Sequence, residues 1–330
     1  MIQKLPVIGV PLGDPAGIGP EIAIKAAMLE TVQEIAHVKL IGHRELFAHV
    51  QKQLSVSLDG LDIHYVENSN LGDFEYGKIQ VNCGKAAYDY IYEATNLAKS
   101  NIIDAIATTP INKESLRAAN INTIGHTELL GEFTGCHDLM TLFQTNKLQV
   151  FFLTRHLSLL DACKVITYDR VLNGIIDTYK SMKLLGTISP IPFAVAGLNP
   201  HNGEHGLFGS EEENFIRPAV IKAQEMGIPV VGPIPADSVF YQARTGKYSA
   251  VLSLYHDQGH IATKTYDFEK TISLTLGMPF LRTSVDHGTA FDIAGKGIAQ
   301  HVSMEQAIIT AAKYARDYKI NYPDFINFTM

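Results

Sequence analysis

Short apolar runs alternate with helical patterns along most of this chain of 330 residues. Residues 5–10, 38–42, 63–66 and 103–108 read as strands, and residues 22–29, 44–54 and 85–99 carry the helical period between them. Such alternation builds βαβ units, whose parallel strands are buried on both faces and therefore read as continuous apolar runs. The expected class is α/β with a mostly parallel sheet. Further on, 139–143 and 150–153 predict an antiparallel pair turning at Asn146-Lys147. Residues 193–198 and 251–254 are two more strands, with helices over 169–185 and 211–225. Residues 54–84 are irregular and polar, as a surface excursion would be. No repeat, low-complexity tract or linker interrupts the pattern.

This length exceeds what one core serves, so about two domains are expected. A net charge of −7 argues against nucleic acid or an anionic membrane as main partner, yet allows local positive charge for a small anion. Cys83, Cys136 and Cys163 form no C-x-x-C pair and read as reduced thiols. Residues 1–6 run straight into a strand without the form of a signal peptide, and no apolar run reaches the roughly 18 residues of a membrane span. A cytoplasmic protein is the expectation.

Two glycine-rich stretches stand out. Asp286-His287-Gly288-Thr289-Ala290-Phe291-Asp292-Ile293-Ala294-Gly295-Lys296-Gly297 is too polar for a core helix. Its glycines let the backbone turn tightly and approach a ligand. His287 offers a flat ring, and Asp292 two acceptor oxygens suited to a pair of ribose hydroxyls. A plain connecting loop would have the same composition. Gly13-Asp14-Pro15-Ala16-Gly17-Ile18-Gly19-Pro20-Glu21 feeds the first helical pattern, with Pro20 suited to its first position. A glycine loop at a helix N-terminus suits an anion or cofactor, though a tight strand–helix connection reads the same way. No G-x-G-x-x-G follows a strand.

The middle of the chain is rich in polar groups at strand ends, where open α/β sheets bind ligands. Thr108-Thr109-Pro110-Ile111-Asn112-Lys113 ends one strand, and Ile124-Gly125-His126-Thr127-Glu128 follows a short helix. Three further strands end in Thr154-Arg155-His156, in Asn199-Pro200-His201-Asn202-Gly203-Glu204, and in Tyr255-His256-Asp257-Gln258-Gly259-His260. Each histidine alone reads as a hydrogen-bonded loop residue. Were the strands neighbours, His156, His201 and His256 would gather at one sheet edge. Three neutral imidazoles suit Zn²⁺, Ni²⁺ or Co²⁺ better than Mg²⁺.

The 286–297 run resembles the adenosine-binding loop of the isocitrate and isopropylmalate dehydrogenase superfamily, H-G-[ST]-A-x-D-I-A-G-K-G, which holds NAD without a Rossmann fingerprint. Jointly G-D-P-A-G-I-G-P-E, T-P-I-N-K, G-H-T-E, L-T-R-H, G-L-N-P-H-N-G-E, Y-H-D-Q-G-H and T-S-V-D-H-G-T-A-F-D-I-A-G are similar to the 4-hydroxythreonine-4-phosphate dehydrogenase family, in that family's order, over residues 13–297. The resemblance implies a two-domain α/β/α fold with the site in the interdomain cleft: 1–122 plus 303–330 as one domain, 123–302 as the other. It implies NAD held by Asp14, Gly17, His287, Gly288, Thr289, Ala290 and Asp292, and a divalent metal (Zn²⁺ foremost, Mg²⁺ or Co²⁺ as alternatives) on His156, His201 and His256. Substrate contacts fall on His126, Thr127, Lys264 and Arg282. A family asparagine falls on Ser273, which is shorter and lacks the amide, so that contact must differ. A homodimer is also implied, with the site at its interface and ligands from both chains. Residues 206–209, the 239–243 segment and His260 look more like a branch acting on 4-phospho-D-threonate and 4-phospho-D-erythronate.

The chemistry expected is metal-assisted oxidation of a C3 hydroxyl by NAD⁺, then decarboxylation of the β-keto acid. Lys264 and Arg282 are candidates for a phosphate or carboxylate, or are solvated surface charges. His126 and Asp257 are candidates for proton transfer, with Lys264 beside them. Two rivals are a metal-dependent lyase or hydrolase without nicotinamide, which has no need of the 286–297 loop, and a phosphosugar-binding protein, which has no need of three histidines.

Overall fold

The computed structural model describes residues 4–67, 69–123 and 125–328. The N-terminal reading over residues 1–3, and Ile124 ahead of the Gly125-His126 pair, lie outside the described residues. The chain forms two compact units, Met1–Leu139 with Ile272–Ile320 and Met140–Thr271 with Asn321–Met330. Relative to the domains expected above, residues 123–139 and 272–302 fall in the first unit, where the strands 271–276 and 281–285 extend the sheet beyond β4, and residues 321–330 fall in the second.

In the first unit the strand order is β3-β2-β1-β4-β11-β10, with β1 Val7–Pro11, β2 His37–Gly42, β3 Asp62–Tyr65, β4 Ala105–Thr108, β10 Thr271–Leu276 and β11 Leu281–Val285. All neighbours are parallel except β10 and β11. Helices α1 (Gly19–Ala27), α2 (Glu30–Gln33), α3 (Arg44–Leu54), α4 (Val81–Lys99), α5 (Lys113–Ala118) and α6 (His126–Thr134) connect the first part. The strands are apolar for the reason expected: Ile8, Val10, Leu40, Ile41, Ala105 and Ile106 are fully buried. Asn112 caps α5, its Oδ1 accepting from the amides of Glu114 and Ser115 at 2.8 and 2.9 Å, which gives the T-P-I-N-K run a structural role.

In the second unit the order is β5-β6-β9-β7-β8, with β5 Met140–Thr145, β6 Leu148–Phe152, β7 Phe193–Ala196, β8 Val230–Ile234 and β9 Val251–Ser253. The β5–β6 hairpin turns at Asn146-Lys147 as expected, Asn146 taking a left-handed φ of 54°. The other neighbours are parallel. Helices α7 (Leu159–Lys164), α8 (Tyr168–Leu184), α9 (Arg217–Glu225), α10 (Ala236–Arg244) and α11 (His256–Tyr266) join them; α12 (Val302–Ile326) belongs to the first unit as far as Ile320. Phe143, Val150, Phe152, Ala194, Val239 and Val251 form one apolar cluster. The helix expected over 211–225 opens instead with a π-turn, Glu212–Ile216. Cys83, Cys136 and Cys163 are free thiols. Among the described residues no helix is long and apolar enough to cross a membrane.

Gly84 shows how closely α4 meets α5: an added Cβ would lie 1.9 Å from the Ser115 carbonyl oxygen. Alanine in mid-helix is favoured over glycine by about 1 kcal/mol, but the obstacle is backbone and cannot rotate away. We expect Gly84→Ala to lower stability by about 1–3 kcal/mol through overpacking, read as a lower urea midpoint. An unchanged or higher midpoint would mean that α5 retreats freely.

Candidate active site

In the first unit the loop after β1 rests on the end of β4. Asp14 N donates to Pro110 O at 3.1 Å. Asp14 Oδ1 accepts from Ala16 N at 2.8 Å, and the buried carboxyl also meets the Ser115 hydroxyl. Burial raises this carboxyl above the ordinary aspartate range, against the Ala16 amide. The 286–297 loop lies on the same turn: Ile18 N donates to Thr289 O at 3.0 Å, and an added Cβ on Gly17 would stand 2.9 Å from Thr289 Cβ. Asp14, Gly17 and Thr289 are thus brought together.

An ion pair holds the far end of that loop. Lys25 Nζ donates to Glu21 Oε1 at 2.7 Å and to the carbonyls of Gly297 and Ala299 at 2.9 Å each. Glu21 Oε1 also accepts from Ala299 N at 2.8 Å. Glu21 is 2% exposed, so these bonds are shielded from water. Ahead of Thr289, Gly288 is exposed with no atom within 4 Å of where a Cβ would stand and His287 Nδ1 lies 3.0 Å from Gly288 O; after it, Ala290 takes a left-handed φ of 43° and Asp292 is exposed. The loop is thus held at Thr289 and at residues 297–299, with Gly77 close to Phe291 and Tyr76 against Gly295 between those points, while Gly288 and Asp292 are exposed.

Arg282 lies on β11, 6% exposed, donating from Nε to Thr108 Oγ1 and from an Nη to Thr275 Oγ1, both at 3.0 Å. Register pairs Ser273 with Ser284 and Thr275 with Arg282, so these four share one face. Burial pushes the guanidinium down to about 10, with Glu128 and Asp286 opposing, and it stays a cation at neutral pH. His126 opens α6 and Thr127 follows it. His126 keeps some solvent contact overall, but its Nε2 is buried without a partner. Burial, then the Arg282 cation, hold this imidazole well below its ordinary value, against a backbone bond at Thr109. A neutral imidazole with an unsatisfied nitrogen beside a buried cation suits a substrate oxygen.

In the second unit β6, β9 and β7 are neighbours, so His156, His256 and His201 leave adjacent strand ends. The His156 and His256 rings lie 6.4 Å apart between centroids. Asp257 Oδ1 is 2.6 Å from His256 Nδ1, so Nε2 is the ring nitrogen that Asp257 does not engage. Gln258 ties two strand ends together: its Oε1 accepts from Leu254 N and its Nε2 donates to Gly197 O, both at 2.8 Å. The loop of His201 is held by Glu212, fully buried, which accepts from Leu198 N, Asn199 N and Asn199 Nδ2 at 2.8, 2.6 and 2.8 Å. His201 is exposed, its ring centroid 6.4 Å from that of Phe208. Lys264 belongs to α11, its Nζ 5.5 Å from the Phe268 ring centroid. His260 is buried beside His256; burial, then the neighbouring His256 and Lys264, push it down to about 4.

Among the described residues no group of three or more His, Cys, Asp or Glu side chains converges on one point. Of the three expected ligands, the structure brings the His156 and His256 ring centroids to 6.4 Å and leaves His201 exposed on the neighbouring strand end, so the three are not gathered at one point. Sequence reasoning missed Glu21, Lys25, Gln258 and Glu212. Gln258 alone carried a signal, its place between two histidines; the others are recognisable only by burial.

The chain matches the family of the pyridoxal phosphate biosynthetic protein PdxA over residues 17–311. It is 53% identical over 327 residues to a Fusobacterium nucleatum protein provisionally named D-threonate 4-phosphate dehydrogenase, covering 94% of this chain and 98% of that one. It is 50% identical over 334 residues to a Clostridium botulinum protein of the same provisional name, covering 97% and 100%. Among solved structures, a 4-hydroxythreonine-4-phosphate dehydrogenase from Klebsiella pneumoniae superposes with a TM-score of 0.82 at 36% identity, over 94% of this chain and 99% of that one.

His126 makes stability depend on pH. Its folded pKa lies below the unfolded 6.5, so the unfolded chain binds the extra proton. Stability is full above pH 6.5 and falls as pH drops below it. We expect a lower urea midpoint at pH 5.5 than at 7.5, and a smaller difference in His126→Asn. Equal midpoints in the two wild-type measurements would contradict the neutral imidazole.

Proposed function

The chain belongs to the PdxA family of dehydrogenases, and on that ground we propose that it oxidises the C3 hydroxyl of a 4-phosphorylated threonate-type acid with NAD⁺ and then releases carbon dioxide from the β-keto acid. The observation that carries the reading is the 53% identity, over nearly the whole of both chains, to the Fusobacterium relative named for D-threonate 4-phosphate. A lyase or hydrolase without nicotinamide is not favoured, because the relatives are dehydrogenases and the 286–297 loop would then have no use.

His156, His201 and His256 would hold a divalent ion, Zn²⁺ foremost. Such an ion lowers the pKa of a substrate hydroxyl and stabilises enolate charge, while nicotinamide accepts hydride. The chain's own residues do the rest. Asp257 keeps His256 in the tautomer with Nε2 unprotonated. Arg282, a buried cation, binds a phosphate or carboxylate oxygen of the substrate. His126, neutral at working pH, accepts or donates a proton at Nε2, and Thr127 offers a hydroxyl beside it. Ser273 meets the substrate with a hydroxyl where an amide would reach further. Lys264 supplies a second cation for the substrate's anionic end. The 286–297 loop takes the adenosine, Asp292 accepting from the ribose hydroxyls and open Gly288 allowing close approach. The working form is a homodimer.

NADH absorbance tests the substrate with added Zn²⁺, Mg²⁺ or Co²⁺. We expect turnover of 4-phospho-D-threonate and 4-phospho-D-erythronate and none of 4-phosphohydroxy-L-threonine. Turnover of the last alone would move the protein to the biosynthetic substrate. His201→Ala should lose bound metal and activity together while its circular dichroism stays that of the wild type. Full turnover of that variant after metal stripping would remove the ion from the mechanism.

A further inference from the structure

The polar stretch between β3 and α4 has no part in the proposed reaction. In the structure it does not stand off in solvent. Asn82 Nδ2 donates to the carbonyls of Leu71 and Asp73 at 2.8 and 2.9 Å, and Gln80 Nε2 donates to Glu75 O at 2.8 Å, so the stretch folds back on the start of α4. Its tip touches both glycine-rich loops. Gly77 N donates to Ala16 O at 2.9 Å. Gly77 takes a left-handed φ of 72°, and an added Cβ there would lie 2.7 Å from Phe291 O. An added Cβ on Gly295 would lie 2.3 Å from Tyr76 Cδ2, so the Tyr76 ring rests directly against the backbone of the 286–297 loop.

Tyr76 is fixed on its other sides. His49 and Phe74 pack on it with ring centroids 5.4 Å away in each case, at 63° and 81°. The Tyr76 hydroxyl lies 2.6 Å from Gln53 Oε1, and Gln53 Nε2 lies 3.2 Å from Glu21 Oε2. A carboxylate only accepts, so the Gln53 amide turns its NH₂ to Glu21 and the phenol donates to its oxygen. Burial, then the Glu21 carboxylate, push that phenol up to about 12, so it keeps its proton at neutral pH. Glu21 is the same carboxylate that accepts from Ala299 N. A line of contacts therefore leaves the loop at Gly295, passes through Tyr76, Gln53 and Glu21, and returns to the chain at Ala299.

We propose that Tyr76 is a positioning residue for the 286–297 loop: its ring backs Gly295, and its hydroxyl, through Gln53, ties that backing to the carboxylate that holds Ala299. Residues 291–297 lie in turns and bends, with no strand or helix of their own to hold them. Side chains from outside the loop then decide how readily it opens. Tyr76 acts on a ligand of the loop only through the loop. That this ligand is the adenosine of NAD rests on the function proposed above; that Tyr76 holds the loop does not.

The test uses the full-length protein and two variants. Tyr76→Leu keeps an apolar side chain and removes the ring and the hydroxyl. Tyr76→Phe keeps the ring on Gly295 and removes only the bond to Gln53. Trypsin, with no ligand added, reports opening of the loop as cleavage after the exposed Lys296, identified by peptide mass, with the exposed Lys164 of the second unit as reference. Titration of NADH fluorescence reports cofactor affinity separately. In Tyr76→Leu we expect cleavage after Lys296 about 10-fold faster, an unchanged rate at Lys164, and NADH bound about 10-fold more weakly. Tyr76→Phe should fall between this variant and the wild type in both readouts. Wild-type cleavage after Lys296 in Tyr76→Leu, even with a lower urea midpoint, would make Tyr76 an ordinary packing residue and overturn the proposal. Equal acceleration at Lys164 and Lys296 would also overturn it, as a loss of overall stability. A wild-type protein that binds no NADH, with Tyr76→Leu still cut faster after Lys296 alone, would remove the cofactor reading and support the bracing.

Discussion

The common direction of β6, β9 and β7 is the constraint on which the second unit's chemistry depends. Parallel neighbours end at the same edge, so groups 45 and more residues apart in sequence leave the sheet side by side. Direction alone does not place a side chain. Gln258 bonds the end of β9 to that of β7, and Thr154 Oγ1 donates to Leu254 O at 2.8 Å, joining the ends of β6 and β9. The loop bearing His201 needs more. His201, Asn202, Glu204 and His205 all hold left-handed φ angles between 41° and 57°. Four such non-glycine residues cost about 4–8 kcal/mol together. The three bonds to the buried Glu212 carboxylate, at about 1.5–3 kcal/mol each when charge-assisted, are of the same order. A buried acid is what lets this loop hold its shape.

The first unit solves a different problem with similar means. Residues 286–297 have little apolar surface and no ladder to join, so nothing in their own sequence would fix them. Glu21 and Lys25, a pair on one face of α1, reach across 272 and more residues of sequence to the backbone of Gly297 and Ala299. The other end is bonded to Ile18. A loop held at several points loses little further freedom when a ligand settles on its exposed residues, which is the sense in which it is pre-organised.

Much of the fold was legible in the sequence because buried parallel strands advertise themselves as apolar runs, and β1, β2, β4, β7 and β9 did so. The elements that were not legible break that rule for identifiable reasons. β8 contains Gly232-Pro233, two residues that ordinarily argue against a strand. β10 and β11 carry Thr, Ser and Arg on one face because that face is polar, so neither reads as an apolar run. The site divides the same way. Histidines at strand ends could be named from position, but not their partners: Glu212 reads as one acid in a run of three, and Lys25 as an ordinary helix cation. Burial gives both their meaning, and burial is decided by the whole fold.

The face shared by Ser273, Thr275, Arg282 and Ser284 bears on the kind of substrate such a site can take. Three hydroxyls and one buried guanidinium form it, with no carboxylate among the four. Hydroxyls both donate and accept, so they satisfy a hydroxyl or carboxylate oxygen equally well. Arg282 repels a substrate ammonium, while Glu128 and Asp286, near enough to act on Arg282, attract one. Ser273 in place of an amide shortens the reach on this face without changing its sign. Taken by itself, a buried guanidinium among hydroxyls suits an anionic or hydroxyl oxygen, and that comes from the residues on the face rather than from the shape of the strands that build it.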